Sequence, residues 1–144
     1  KGPITKGTWA RAGASAFFLE PLPRLAVTVD GSALAGEFAM VLVSNVVHYG
    51  GFDVLARDRA LDDGLWEVYL FPARTKLGLV AHAARGAFGR FPGGSVRLER
   101  GRRVEVRSLR TGAAEVPVQV DGDLATTTPV TIELERIQRR LVLP

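Results

Sequence analysis

From residue 95 onward, apolar and charged residues alternate in short runs: "SVRLER", "RRVEVRSL", "VPVQVDG" and "VTIELERI". A period of two belongs to an extended chain, whose successive side chains point to opposite faces. Arg97, Glu99, Arg103, Glu105 and Arg107 take the positions expected to be wet, and the apolar residues between them those expected to be dry. Turn residues at Gly101, Gly112 and Asp121-Gly122 separate the runs. Short strands with one wet face, broken at regular intervals, predict an antiparallel sandwich or barrel.

The middle of the chain adds three strands. "RLAVTV" alternates with Leu25, Val27 and Val29 on one face, and it ends in Asp30-Gly31. "EFAMVLVSN" is a continuous apolar run, as in a strand buried on both faces. "WEVYLF" lies between the Gly64 turn and Pro72. Two segments have helical spacing instead. Residues 8–19 place Trp9, Ala12, Ala16 and Leu19 together behind a Thr8 cap, and the prolines of "EPLPR" stop that helix. In residues 75–89, Leu77, Val80, Ala81, Ala84, Ala87 and Phe88 make one stripe. Gly78 and Gly86 weaken this second helix by about 1 kcal/mol each relative to Ala.

Composition narrows the function classes. The 144 residues suffice for one domain with a sizeable core, and 47% hydrophobic with 24% charged residues is ordinary for a globular protein. No apolar run approaches the ~20 residues of a membrane span. The chain has no cysteine, which excludes disulfides, thiolate metal sites and cysteine nucleophiles and suits a cytoplasmic setting. Two histidines leave any metal dependent on oxygen ligands. The net charge of +4 comes mostly from arginine, and its simplest reading is a solvated surface. An Arg-rich module for nucleic acid or anionic surfaces is the alternative, with Arg100, Arg102, Arg103, Arg107 and Arg110 as its footprint. Nucleic acid is disfavoured, because the run lacks interleaved aromatic residues for base stacking. There is no βαβ alternation and no Gly-rich phosphate loop opening a helix. A nucleotide would therefore need its main site elsewhere. The opening "KGPITKG" reads like the middle of a longer protein.

Three constellations could carry chemistry. In "SNVVHYGGF", an apolar strand ends at Asn45, and Gly50-Gly51 would let the backbone approach a ligand or another segment closely. His48 there is a loop histidine, solvated or hydrogen-bonded. In "ALDDGLWEVYLF", Asp62-Asp63-Gly64 leads into a strand. A carboxylate with nearby backbone carbonyls suits a hard cation, and it equally suits a turn that Asp caps. In "VPVQVDGD", Asp121 and Asp123 flank Gly122. Two acids on one side of a strand suit general-base work, and they equally suit a solvated hairpin turn. Asp30 in "LAVTVDGS" has the same turn without a second acid.

The order of these pieces is more specific than any one of them. A strand ending in Asn is followed by Tyr-Gly-Gly, by "ALDDGL" running into an apolar strand, by a helix, by "VPVQVDGD", and by a last strand closing in "LVLP". This succession resembles the second domain of the diacylglycerol kinase-type lipid kinases, a family that includes the sphingosine and ceramide kinases. The resemblance implies a mainly β fold, a two-sheet antiparallel β-sandwich with one or two helices, as in the NAD kinase/diacylglycerol kinase-like fold. It implies a partner N-terminal domain whose Gly-Gly-Asp-Gly-Thr loop binds ATP. A lipid substrate would sit in the cleft between the two, near Asn45, Gly50 and Gly51. The acid ending the V-x-V-D-G-[DE] motif takes the lipid hydroxyl proton in the family, and that position is Asp123, with Asp121 beside it. The usual residue is Glu, so the reach is shorter here by one CH₂. The resemblance also implies a structural Mg²⁺ held by the Asp63 carboxylate and the carbonyls of Ala60 and Leu65. Many members have a third glycine where this chain has Phe52. A cytoplasmic enzyme acting on a lipid leaves room for peripheral contact at the inner membrane face. Phe17, Phe18 and Leu19 are candidates for it, although core packing suits them as well.

Overall fold

A computed structural model describes residues 21–45, 63–87, 94–110 and 115–135. The predicted helix over residues 8–19 lies outside them. The described residues form strands β1 (Leu25–Val29), β2 (Ser32–Ala33), β3 (Met40–Ser44) and β4 (Trp66–Phe71), helix α1 (Lys76–Ala87), then β5 (Arg97–Gly101), β6 (Arg103–Ser108), β7 (Pro117–Val120), β8 (Asp123–Thr127) and β9 (Val130–Glu133). All pairings are antiparallel. One sheet has the order β2-β1-β6-β9, a second has β3-β4-β5, and β7-β8 stand as a two-stranded ribbon.

The first two sheets pack face to face, as the resemblance implies. Leu25, Val27 and Val29 of β1 and Val104 and Val106 of β6 share one buried cluster with Val68 and Leu70 of β4 and with Phe38. These are the dry residues of the alternating runs, so hydrophobic burial selects the pairing of the layers. The opposite face of β4 carries Tyr69 and Phe71, which pack with Val96, Leu98, Leu42 and Leu79 beneath α1. β4 is thus the strand buried on both faces. β3, whose apolar run is the more continuous, is an edge strand, and its valines are only half-buried.

Register corrects the wet-face expectation at β5. Residues directly opposite in an antiparallel pair share a face. Arg97 and Glu99 oppose Leu70 and Val68, so they lie on the sandwich side, at its open rim. Leu98 opposes Tyr69 and packs under the helix. Arg97 bridges the layers, donating from Nη1 to the Ala35 carbonyl at 2.8 Å with its guanidinium 6.0 Å from the Phe38 ring centre. On β6 the expectation holds: Val104 and Val106 are buried, while Arg103 and Arg107 are exposed. The chain passes between layers at Gly101–Arg102, where β5 of one sheet becomes β6 of the other.

Helix α1 begins at Thr75, whose hydroxyl accepts the Gly78 N–H at 3.2 Å. Its inward contacts come from Leu79 and from His82, which lies edge-on to Phe71 and donates from Nε2 to the Pro72 carbonyl at 3.2 Å. The described part of the apolar stripe read from the sequence does not face the core; Phe88 and the Ala87 side chain lie outside the described part. Leu77, Val80, Ala81 and Ala84 are exposed. Among the described residues, no helix is long and apolar enough to cross a membrane.

Candidate functional site

The two Asp-Gly turns are twins in backbone. Asp30 and Asp121 have φ of 46° and 50°, and Gly31 and Gly122 follow at 80° and 101°. Positive φ at both central residues is the tight hairpin turn that Asp-Gly permits. Their surroundings differ. The Asp30 carboxylate accepts the backbone N–H groups of Arg102 and Arg103, each at 2.9 Å, and the Asp30 N–H donates to the Arg103 carbonyl at 2.9 Å. This turn is tied to the corner between the layers. Gly101 gives it room: a Cβ there would stand 2.3 Å from Val29 Cγ1 and 2.8 Å from Asp30 Oδ2.

The second turn is tied only to its own ribbon, where Gln119 Nε2 donates to the Gly122 carbonyl at 2.6 Å. Asp121 and Asp123 are both exposed, and among the described residues nothing pairs with either carboxylate. β7 and β8 show solvent on both faces, with Val120 55% and Leu124 73% exposed. A bulge interrupts the ribbon. Val118 opposes Thr126 and Gln119 opposes Leu124, so Ala125 has no opposite residue. Asp123 opposes Val120 and shares its face.

The ribbon's base is fastened to the sandwich. Val116 packs on the main core, and its N–H donates to the buried Thr128 hydroxyl at 3.1 Å. The Thr128 N–H returns a bond to the Val116 carbonyl at 2.9 Å. The strand "DLATT" has no alternation that sequence reasoning could use.

The aspartate turn is only partly described, since Ala60 and Asp62 lie outside the described residues, as do His48, Gly50, Gly51 and Phe52. Asn45 is exposed just past the end of β3. Asp63 Oδ1 accepts the Leu65 N–H at 2.9 Å, the capped turn read from the sequence. Oδ2 bonds with Arg100, and Arg100 Nε lies 3.9 Å from Glu67 Oε1. Glu67 is buried and accepts a 2.6 Å hydrogen bond from the Tyr69 hydroxyl. Among the described residues, no three acids or histidines converge on a point where a metal could sit. Asp63 still fits as one ligand of a hard cation, since each carboxylate oxygen keeps a second lone pair. Arg100 is its nearer counter-charge.

Two arginines of the footprint proposed as a binding patch are neutralised: Arg103 pairs with Glu105 and Glu133, and Arg100 with Asp63. Glu105 and Glu133 hold the Arg103 guanidinium above its ordinary pKa, through hydrogen bonding first and charge second.

Sequence reasoning also missed an open groove of about 860 Å³ lined by Leu22, Arg24, Glu37, Phe38, Pro72 and Arg74, among others. Arg24 and Glu37 form a two-pronged pair across it at 2.6 and 2.5 Å. This bond holds the Glu37 carboxyl below the usual carboxylate range. The residues come from four separate segments, Ser95 being the fourth, and no local pattern announces them.

A layered antiparallel sandwich with an acid-bearing ribbon defines the class of domain, and comparison with known families agrees. The chain belongs to the YegS C-terminal NAD kinase beta sandwich-like domain family, whose model matches residues 14–141. No curated protein matches the sequence. Solved structures share the fold. A crystal structure of a diacylglycerol kinase from Bacillus anthracis str. Sterne is 17% identical at a TM-score of 0.61, covering 85% of this chain and 42% of its own. A candidate diacylglycerol kinase from the same organism is 16% identical at 0.61, covering 92% and 45%. This chain therefore spans less than half the length of either structure.

Proposed function

We propose that this chain is the acid-presenting domain of an ATP-dependent lipid kinase that phosphorylates a hydroxyl on a diacylglycerol-like lipid. The contrast between the twin turns carries the proposal. One aspartate is consumed by structure, while the other turn holds two carboxylates, Asp121 and Asp123, that nothing among the described residues binds. A partner domain would bind ATP, which supplies the phosphoryl group. Asn45, Gly50 and Gly51 would border the lipid.

In the transfer, the lipid oxygen forms its bond to the γ-phosphorus as the bond to the ADP oxygen breaks. The hydroxyl proton passes to the Asp123 carboxylate and from there to solvent. Phosphoryl transfer depends on positioning and charge neutralisation more than on covalent help, so one placed acceptor suffices on this side. Asp121, on the turn itself, would be the second acid beside it. A structural Mg²⁺ would take the Asp63 carboxylate with the Ala60 and Leu65 carbonyls. The expected location is the cytoplasm, at the inner membrane face where such lipids reside.

The test is phosphorylation of a panel of lipids by the full-length protein with labelled ATP. Turnover of one lipid class is expected, and it should collapse in Asp123→Asn. A panel with no phosphorylated product sinks the kinase proposal. Wild-type turnover in the variant removes Asp123 from its role. Asp63→Ala should lower the melting temperature and erase any rise that Mg²⁺ gives over EDTA. A melt that is equal with and without Mg²⁺ in the unmutated protein removes the structural cation.

A further inference from the structure

We propose that the outer face of α1 is the surface by which this domain docks on an anionic membrane. Leu77 is 77% exposed and Val80 46%, and exposed Ala81 and Ala84 continue the same stripe. It is the contiguity of the four, not any one of them, that marks an interaction surface.

Charge identifies the partner. At roughly 100° of turn per residue, Lys76 and Arg85 fall about 100° and 80° to either side of Leu77. Arg85 is the exposed one of the two, while Lys76 is half-buried and already has a partner. Arg74 adds a third, exposed, two residues before the helix. The sequence of α1, "KLGLVAHAARGA", contains no acidic residue. An apolar stripe edged by cations matches the boundary between anionic headgroups and acyl chains. A protein partner matched to this stripe would need acids at both ends of the helix, whereas an anionic bilayer offers them everywhere. The inward side, Leu79 and His82 on Phe71, anchors the helix so that the stripe remains outward. Met40, also partly exposed, lies on the helix-bearing face of its sheet, because it opposes Phe71.

This inference rests on the lipid-kinase proposal for its purpose, but its test does not. These 144 residues hold no cysteine, so Leu77→Cys, in a full-length protein with any cysteine elsewhere changed to serine, gives a single thiol for a polarity-sensitive dye. The dye should blue-shift on vesicles containing phosphatidylglycerol and not on pure phosphatidylcholine. In co-sedimentation with the same vesicles, Leu77→Asp with Val80→Asp should weaken binding about tenfold or more, the loss expected when leucine-sized apolar surface is kept in water. Arg74→Glu with Arg85→Glu should abolish the preference for the anionic vesicles. Phosphorylation of a short-chain, water-dispersed diacylglycerol should survive both pairs of substitutions, while phosphorylation of vesicle-borne substrate falls.

Unchanged vesicle binding in the Leu77/Val80 variant overturns the proposal. So does a thiol at position 77 that maleimide cannot reach without vesicles, which would show the face covered by the protein itself. A concentration-dependent dimer lost in the same variant overturns it in favour of a second copy. If vesicle binding behaves as expected while no lipid is phosphorylated, the docking face stands and the kinase proposal falls.

Discussion

The two hairpins of this domain share a turn and almost nothing else. The first, β1–β2, is fastened at both ends. Its tip donates to and accepts from the corner between the sheets, and its base is closed by the Arg24–Glu37 pair. The second, β7–β8, is fastened only at its base, by Val116 and Thr128. Identical local chemistry thus yields a structural corner in one place and an exposed pair of acids in the other. Asp-Gly specifies the bend, and the tertiary surroundings specify its use. A two-stranded ribbon is marginal alone. Its upkeep at the edge of a sandwich, with Val120 and Leu124 in solvent, makes sense when the tip has work to do.

The sharpest way to break this comparison is to remove the acid from the second tip. Asp123→Asn should cut lipid phosphorylation by about 10²–10⁴-fold, the range for a lost general base, and leave the melting temperature unchanged. A variant that loses activity only by unfolding would make the second hairpin a structural one like the first.

Next in size is Gly101→Ala. The new methyl meets the Val29 side chain and the Asp30 carboxylate, so overpacking and loss of the turn's bonds combine to about 2–4 kcal/mol in denaturant unfolding. An unchanged midpoint would mean that the first turn is not seated on that corner.

A smaller contrast comes from Asp30→Ala against Asp121→Ala. Both lose a residue that tolerates positive φ, but only Asp30 gives up two bonds to backbone N–H groups. Asp30→Ala should be the more destabilising by about 1–2 kcal/mol. Equal costs would erase the distinction.

The smallest effect is pH-dependent. Glu37 has its carboxyl pKa lowered by Arg24, so its stabilising share is present above the ordinary carboxylate range and is lost as pH falls through the lowered value. Wild type should melt slightly above Glu37→Gln near neutrality. The gap should close in acid below about pH 4, and salt should shrink it because the pair is exposed.

Much of the sandwich was legible in the sequence because burial and alternation coincide there. Val27, Val29, Val104 and Val106 announce their face by spacing alone. Legibility ended where a second layer reassigned faces. Arg97 and Glu99 look like a solvated face, yet they sit on the rim of the sandwich because the helix claims Leu98 on the other side. The apolar stripe of α1 was correctly grouped, but sequence spacing cannot say which side of a helix its own sheet will take. At the candidate site, the turns and their positive φ were readable from Asp-Gly. The bond between Asp63 and Arg100, 37 residues apart, was not, because only the pairing of β4 with β5 brings them together.

The unmatched Ala125 has a consequence for how the tip is aimed. Across it, Asp123 and Thr126 come to lie on the same side of the ribbon although an odd number of steps separates them. The bulge thus uncouples the side taken by the acid from the length of the returning strand, because Asp123 keeps the face of Val120 opposite it. Deleting Ala125 would flatten the ribbon and leave the carboxylate on the side it already holds, with every residue of "VDGD" in place.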